Sequence, residues 1–244
     1  GEMPASTGPD QRPLLIHAYD MPSVDSNTLV LYDTPGELFE TMAISDESDF
    51  LNFLKQIKNI WFIISLYDLQ NKSGRQINDL LSFYINGMRK VGVPVSGRNL
   101  IVVYTKADLL LSAPEFNLPP DIQRYIRNDP FQSLTEQNSN TSTDEFEFED
   151  YFEEMQLISD KLQEYTIETV TGGPAFVNLA NRYKLGLHFS ITSALGSSAR
   201  NNILAIDAIR LRVIDPYLWA LHLNQPETNS AICLALDGGN GSEV

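Results

Sequence analysis

Two short motifs in this sequence of 244 residues combine residue types that bind phosphates and bases. Asp33-Thr34-Pro35-Gly36-Glu37 follows the apolar run 29–32. A carboxylate at a strand end can hold magnesium, usually through water, and a nearby glycine lets a backbone N–H approach a phosphate. The same residues also form a good β-turn, so the pattern by itself leaves both interpretations open.

The second motif, Thr105-Lys106-Ala107-Asp108, follows the apolar run 100–104. An aspartate accepts two hydrogen bonds from the N1 and N2 edge of guanine, an edge that adenine lacks, and a lysine stem can lie over a base plane. The alternative is that Asp108 simply caps a helix.

A third strand end carries Thr192-Ser193-Ala194-Leu195, after the run 187–191. Backbone N–H groups at Ser193 and Ala194 are candidates for the guanine oxygen. Three such motifs in this order favour nucleotide binding over coincidence.

The elements that must position these motifs alternate between apolar strands and amphipathic helices, which predicts a three-layer α/β fold with a mostly parallel sheet. In such folds, ligands bind at the carboxyl ends of the strands. The predicted strands are 13–18, 28–32, 60–66, 100–104 and 187–191, and the predicted helices are 48–57, 75–91, 151–168 and 174–183. We expect 13–18 and 28–32 to pair as an antiparallel edge hairpin, and 60–66 to be buried on both faces.

Residues 112–168 form an acidic, partly irregular insertion in this scheme, with an acidic run at 144–150. One interpretation is a solvated insertion that leads into the acidic first turn of a helix. The other is a docking surface for a basic protein partner, with apolar anchors at Phe146, Phe148, Tyr151 and Phe152. Further along, Asp215 and Pro216 predict a helix N-cap followed by proline at the first helical position.

Composition excludes several classes of function. The net charge is −15 with only 17 lysines and arginines, which argues against nucleic acid and against anionic membrane surfaces. No apolar run reaches the length of a membrane span. Cys233 is the single cysteine, and His17, His188 and His222 lack metal-ligand spacing, so we predict a cytoplasmic protein without a zinc site.

Over residues 13–222 the chain resembles the Ras-like P-loop GTPases of the TRAFAC class. The resemblance implies that Asp33 serves magnesium, that Gly36 senses the γ-phosphate, and that Glu37 stands where the water-orienting glutamine is found. It also implies that Thr105, Lys106 and Asp108 form the base-specificity box, with Thr105 where asparagine is commonest. Ser193 and Ala194 match the last box, although Leu195 stands where lysine is frequent.

The form Asp-Thr-Pro-Gly-Glu and the stretch 212–219 look most like the bacterial double-GTPase-type domains. This implies a switch domain that binds and hydrolyses GTP, with GTP or GDP and Mg²⁺ as ligands of the parent protein. The alternative is a nucleotide-free pseudo-GTPase that acts as an interaction scaffold.

The phosphate-binding motif Gly-x-x-x-x-Gly-Lys-Ser/Thr does not occur in these 244 residues. We therefore expect a GTPase-like domain over 1–222 without its first strand and phosphate loop, with little nucleotide binding or hydrolysis by this chain alone. Three explanations stay open for the central strand: an upstream segment, natural loss, or the tail 223–244. The tail carries an apolar run at 231–236 and a glycine-rich run at 237–241.

Overall fold

The computed structural model describes residues 14–17, 28–31, 49–69, 75–131, 148–194 and 210–224. Strand β1 (Leu14–His17) pairs with β2 (Thr28–Leu31) in antiparallel register, with Leu14 opposite Leu31. The predicted antiparallel pairing is confirmed, but the expected place of this pair at an edge of the main sheet is not, because among the described residues the two strands form a sheet of their own.

A separate sheet is parallel throughout and contains β3 (Asn59–Ile64), β4 (Asn99–Tyr104) and β5 (Gly186–Ile191) in the order β3-β4-β5. Its strands are in register, so that Ile64, Tyr104 and Ile191 lie side by side at the last row. The three strands therefore end at the same edge of the sheet, as the sequence predicts.

Eight helical segments surround this sheet in the described part of the chain. They are α1 (Asp49–Gln56), the single turn α2 (Leu66–Asp68), α3 (Ile77–Lys90), α4 (Ala107–Ser112), α5 (Pro120–Arg127), α6 (Phe148–Thr169), α7 (Gly173–Arg182) and α8 (Asp215–His222). A 3₁₀ turn, Pro114–Phe116, lies between α4 and α5.

The alternation of side chains along β4 divides the core between the two sheet faces. Leu100, Val102 and Tyr104 belong to the larger apolar cluster, together with α3 and α7. Ile101 and Val103 belong to a smaller cluster with Leu218 and Trp219 of α8. Because successive strand residues face opposite sides, one fully apolar strand can serve two helical layers.

Helix α6 reaches both clusters because it runs past β5. Tyr151 and Met155 near its start join the smaller cluster, and Leu162 joins the larger one. The Ser159 hydroxyl accepts the Phe189 N–H of β5 at 2.9 Å. Covering a strand edge in this way removes a site of unwanted strand pairing.

Two details of local structure differ from a simple reading of the sequence. The insertion 112–168 was expected to be partly irregular, and within it Pro114–Phe116 and α5 are helical, with proline in the first turn of each. Proline interrupts the interior of a helix, but its fixed φ and missing N–H suit the first turn of a helix. Residues 60–66 were expected to be buried on both faces, yet Ile63 is 64% exposed and Leu66 begins α2.

Among the described residues, no helix combines the length and the apolar character that crossing a membrane requires.

We predict that Gly173→Ala destabilises the protein by about 3 kcal/mol, measured by urea unfolding. A Cβ at Gly173 would lie 1.7 Å from the Thr166 carbonyl oxygen, so the backbone of α6 or α7 must move. Gly92→Ala is the matched control. A Cβ at Gly92 would have no atom within 4 Å, so this variant should lose only about 1 kcal/mol from the backbone strain of φ +70°. Equal losses in the two variants would contradict the close packing of α6 and α7.

Candidate functional site

Backbone hydrogen bonds beyond the last strand row bring the second and third motifs together. The Thr105 N–H donates to the Ile64 carbonyl at 2.9 Å, and the Thr192 N–H donates to the Tyr104 carbonyl at 2.7 Å. The Ala107 N–H then crosses to the Thr192 carbonyl at 3.0 Å. The chain segments after β4 and β5 are therefore fixed to each other at the carboxyl edge of the sheet.

Asp108 is held by the third motif and does not cap its own helix. The N-cap of α4 is Lys106, which makes no side-chain cap bond, and Asp108 is the second residue of the helix. One Asp108 carboxylate oxygen accepts the Ser193 hydroxyl at 2.5 Å. In the described part of the chain, that is the one hydrogen bond to this carboxylate, which leaves acceptor capacity for a ligand.

Lys106 adopts a left-handed backbone conformation, with φ 60° and ψ 43°. For a residue other than glycine this costs about 1 kcal/mol, and such strain is concentrated at functional sites. The Lys106 ammonium forms an ion pair with Asp68 of α2, the turn that follows β3. The ends of all three strands therefore contribute to one corner, in which β3 supplies Asp68, β4 supplies Lys106 and Asp108, and β5 supplies Ser193.

Ser193 lies where the sequence predicts, but its backbone N–H is already bonded. It donates to the Leu211 carbonyl at 2.9 Å, and the Leu211 N–H returns a bond of 2.8 Å. The predicted contact from this N–H to a base is thus replaced by a role for the side chain, which holds Asp108. The exposed Ala194 stays a candidate donor, and Thr105 is half-buried beside the corner.

The first motif, with Asp33, Gly36 and Glu37, lies outside the described residues. Within those that the structure does describe, no group of three histidine, cysteine, aspartate or glutamate side chains could hold a metal ion. The magnesium and water-orienting roles of Asp33 and Glu37 stay predictions.

A buried polar cluster around Arg212 lies behind the corner and was not predicted as a functional element. Arg212 is 1% exposed, and its guanidinium lies 3.5 Å from the centre of the Tyr125 ring. Its nitrogens donate to the carbonyls of Tyr125 and Asn128, each at 2.8 Å, and to the Tyr151 hydroxyl at 3.0 Å. Its backbone N–H donates to the Asp129 carboxylate at 2.5 Å.

Asp215 provides the negative charge of this cluster. Its two carboxylate oxygens accept the hydroxyls of Tyr125 and Tyr151. Burial raises the pKa of Asp215 to about 6, although both hydroxyls and the Arg212 charge favour the ionised form. The expectation that Asp215 is an N-cap is wrong: Ile214 holds that position, and the Asp215 side chain bonds tyrosines from α5 and α6.

The Arg212 cluster is linked directly to the corner that holds Asp108. Leu211, the residue before Arg212, forms the two-bond bridge to Ser193, and Ser193 holds Asp108. The one sequence signal for this cluster is that Arg212 and Asp215 lie three positions apart among apolar residues. Their tyrosine partners lie 64 and 90 positions from Asp215, which a local pattern cannot show.

Two of the aromatic residues predicted as anchors of the acidic surface pack inside the fold instead. Tyr151 is buried in the Arg212 cluster, so it is not an exposed anchor, and Phe152 stacks on His222 at 4.7 Å. Phe146 lies outside the described residues, and so does the side chain of Phe148. The acidic positions of α6 that are exposed are Glu149, Asp150, Glu153, Glu154, Asp160, Glu164 and Glu168.

A parallel sheet with helices on both faces and with these motifs at the strand ends defines the class, an α/β domain of the P-loop GTPase-like type. Residues 3–160 match the family model described as Double-GTPase 2, and because this span covers more than half of the 244 residues, the chain belongs to that family. The match includes the first two motifs and ends before Ser193. Neither the curated proteins nor the solved structures compared with the chain give a match.

We predict that Arg212→Met lowers the free energy of unfolding by about 3–5 kcal/mol, because Asp215 then stays buried without its cationic neighbour. Urea unfolding measures the loss. Arg124→Met is the matched control. The Arg124 side chain is 70% exposed in its ion pair with Asp121, so this variant should lose less than about 1 kcal/mol. Losses of similar size would contradict the cluster's role in stability.

We also predict that Asp215 makes stability fall as pH rises from about 4 to about 6. Its pKa in the folded protein is about 6, above the ordinary 3.8, so the folded state binds the proton more tightly across this window. Relative to Asp215→Asn, the wild type should lose up to about 3 kcal/mol over this rise, measured by urea unfolding at each pH. Parallel curves for the two proteins would show that Asp215 does not carry this dependence.

Proposed function

We propose that this chain carries the guanine-recognition corner of a GTP-binding and GTP-hydrolysing switch domain. The observation that carries the proposal is the bond from Ser193 to Asp108, which joins two motifs separated by 85 positions. A capping role for Asp108 would not need that bond. Because the Ser193 hydroxyl fixes the orientation of the Asp108 carboxylate, this carboxylate is suited to selective hydrogen bonding with a ligand.

The chemistry of the corner fits guanine better than adenine. The guanine N1–H and N2–H groups are two donors side by side, and a carboxylate offers two acceptors with matching geometry. Adenine presents an acceptor at N1, so it would leave Asp108 without those bonds. The Lys106 side chain, 46% exposed, supplies an apolar stem that can cover the base.

The phosphate end of the proposed site depends on the first motif. Asp33 would hold Mg²⁺ through water, Gly36 would admit the γ-phosphate to a backbone N–H, and Glu37 would orient the attacking water for in-line displacement. Bound Mg²⁺ supplies charge neutralisation on the phosphates. A phosphate-binding loop is also needed for tight binding, and its motif does not occur in these 244 residues.

The second candidate is a nucleotide-free scaffold that keeps the fold and binds protein partners. Two observations favour it: the absence of that motif from the sequence, and the exposed acidic positions along α6. Such a surface suits a basic partner. Binding of guanine nucleotides by the protein expressed from its complete open reading frame separates the two candidates.

We predict that Asp108→Asn in that complete protein lowers GTP affinity about 100-fold or more while raising affinity for xanthosine triphosphate. The asparagine amide donates where the carboxylate accepts, so it repels guanine N2–H and matches the xanthine 2-oxygen. Isothermal titration calorimetry with both nucleotides measures the switch. Asp160→Asn, an exposed change on α6, should leave both affinities unchanged. Unchanged GTP affinity in Asp108→Asn would contradict the guanine assignment, and an unmodified protein that binds no GTP would favour the scaffold.

A further inference from the structure

We propose that Asp68 is a positioning residue for Lys106 and so helps to set guanine-nucleotide affinity, an inference that rests on the proposed function. Asp68 lies outside all three motifs and comes from the turn after β3. Its carboxylate accepts the Lys106 ammonium across 38 positions of sequence.

The turn that carries Asp68 is fixed at both ends. The Ser65 hydroxyl accepts the Asp68 N–H at 3.3 Å, which caps α2. Leu66 and Leu69 are buried, at 0% and 7% exposure, and anchor the turn in the larger core cluster. Asp68 therefore presents its carboxylate from a rigid position.

The other partner, Lys106, is fixed at its backbone. The bonds at Thr105 and Ala107, on either side of it, tie this segment to β3 and to the segment after β5. The left-handed conformation of Lys106 turns the chain from β4 into α4. A lysine held at its backbone and at its ammonium has lost most of its side-chain freedom before any ligand arrives.

This ion pair contributes little to folding, because the side chains of Lys106 and Asp68 are 46% and 29% exposed. Exposed pairs of this kind contribute little to stability, because water and salt screen the charges. The ion pair instead preorganises the site, because a free lysine has many rotamers and would lose that freedom when a ligand binds. The pairing also engages the ammonium, so that the aliphatic stem is the part that meets the base.

The test compares GDP affinity in the complete protein, measured by displacement of a fluorescent GDP analogue. Asp68→Asn should weaken GDP binding about three- to tenfold, because the freed lysine must then be ordered on binding, with little change in urea unfolding. Asp68→Glu keeps the charge and should recover much of the affinity. In the Lys106→Ala background, Asp68→Asn should have no further effect.

Asp121→Asn is the matched control, because Asp121 forms an ion pair with Lys161 between α5 and α6, away from the base corner. It should leave GDP affinity unchanged. If Asp68→Asn binds GDP as tightly as the wild type, or more tightly, the positioning role is overturned while the proposed function stands. If the unmodified protein binds no GDP, the proposed function is overturned and this inference with it.

Discussion

The in-register parallel pairing of β4 with both neighbours is the constraint on which the rest of the structure depends. It brings the ends of β3, β4 and β5 to one row, and further backbone bonds hold the segments beyond them. Any polar residue placed just after a strand therefore lies near its counterparts. Asp68, Lys106 and Ser193 meet for this reason, although they are distant in sequence.

Strain and charge are distributed unequally around this row. Lys106 and Arg212 both adopt left-handed backbone conformations, yet their surroundings differ. Arg212 is buried and bonded on all sides, so it stabilises the framework behind the corner. Lys106 is half-exposed, and Asp68 is its ion-pair partner among the described residues, so under the proposed function it can respond to a ligand. A rigid support behind an accessible side chain is how precise sites are generally built.

Much of the fold could be predicted because its signals are local. Apolar runs and helical periodicity gave the parallel strands and the long helices, and residue types at strand ends gave Lys106, Asp108 and Ser193 as site candidates. The exposure of Ile63 could not be predicted, because it depends on which element covers β3. The cluster of Arg212 and Asp215 was missed because its tyrosine partners come from α5 and α6, far away in sequence.

The most direct test of the central claim is amide chemical-shift mapping of this chain with nucleosides, because a nucleoside reports on the base corner without any phosphate contact. Guanosine at high concentration should shift the amides of residues 105–108 and 192–194 in proportion to the small fraction bound, and adenosine at the same concentration should not. Equal responses to both nucleosides, or shifts confined to other residues, would contradict a guanine-reading corner at the ends of β4 and β5.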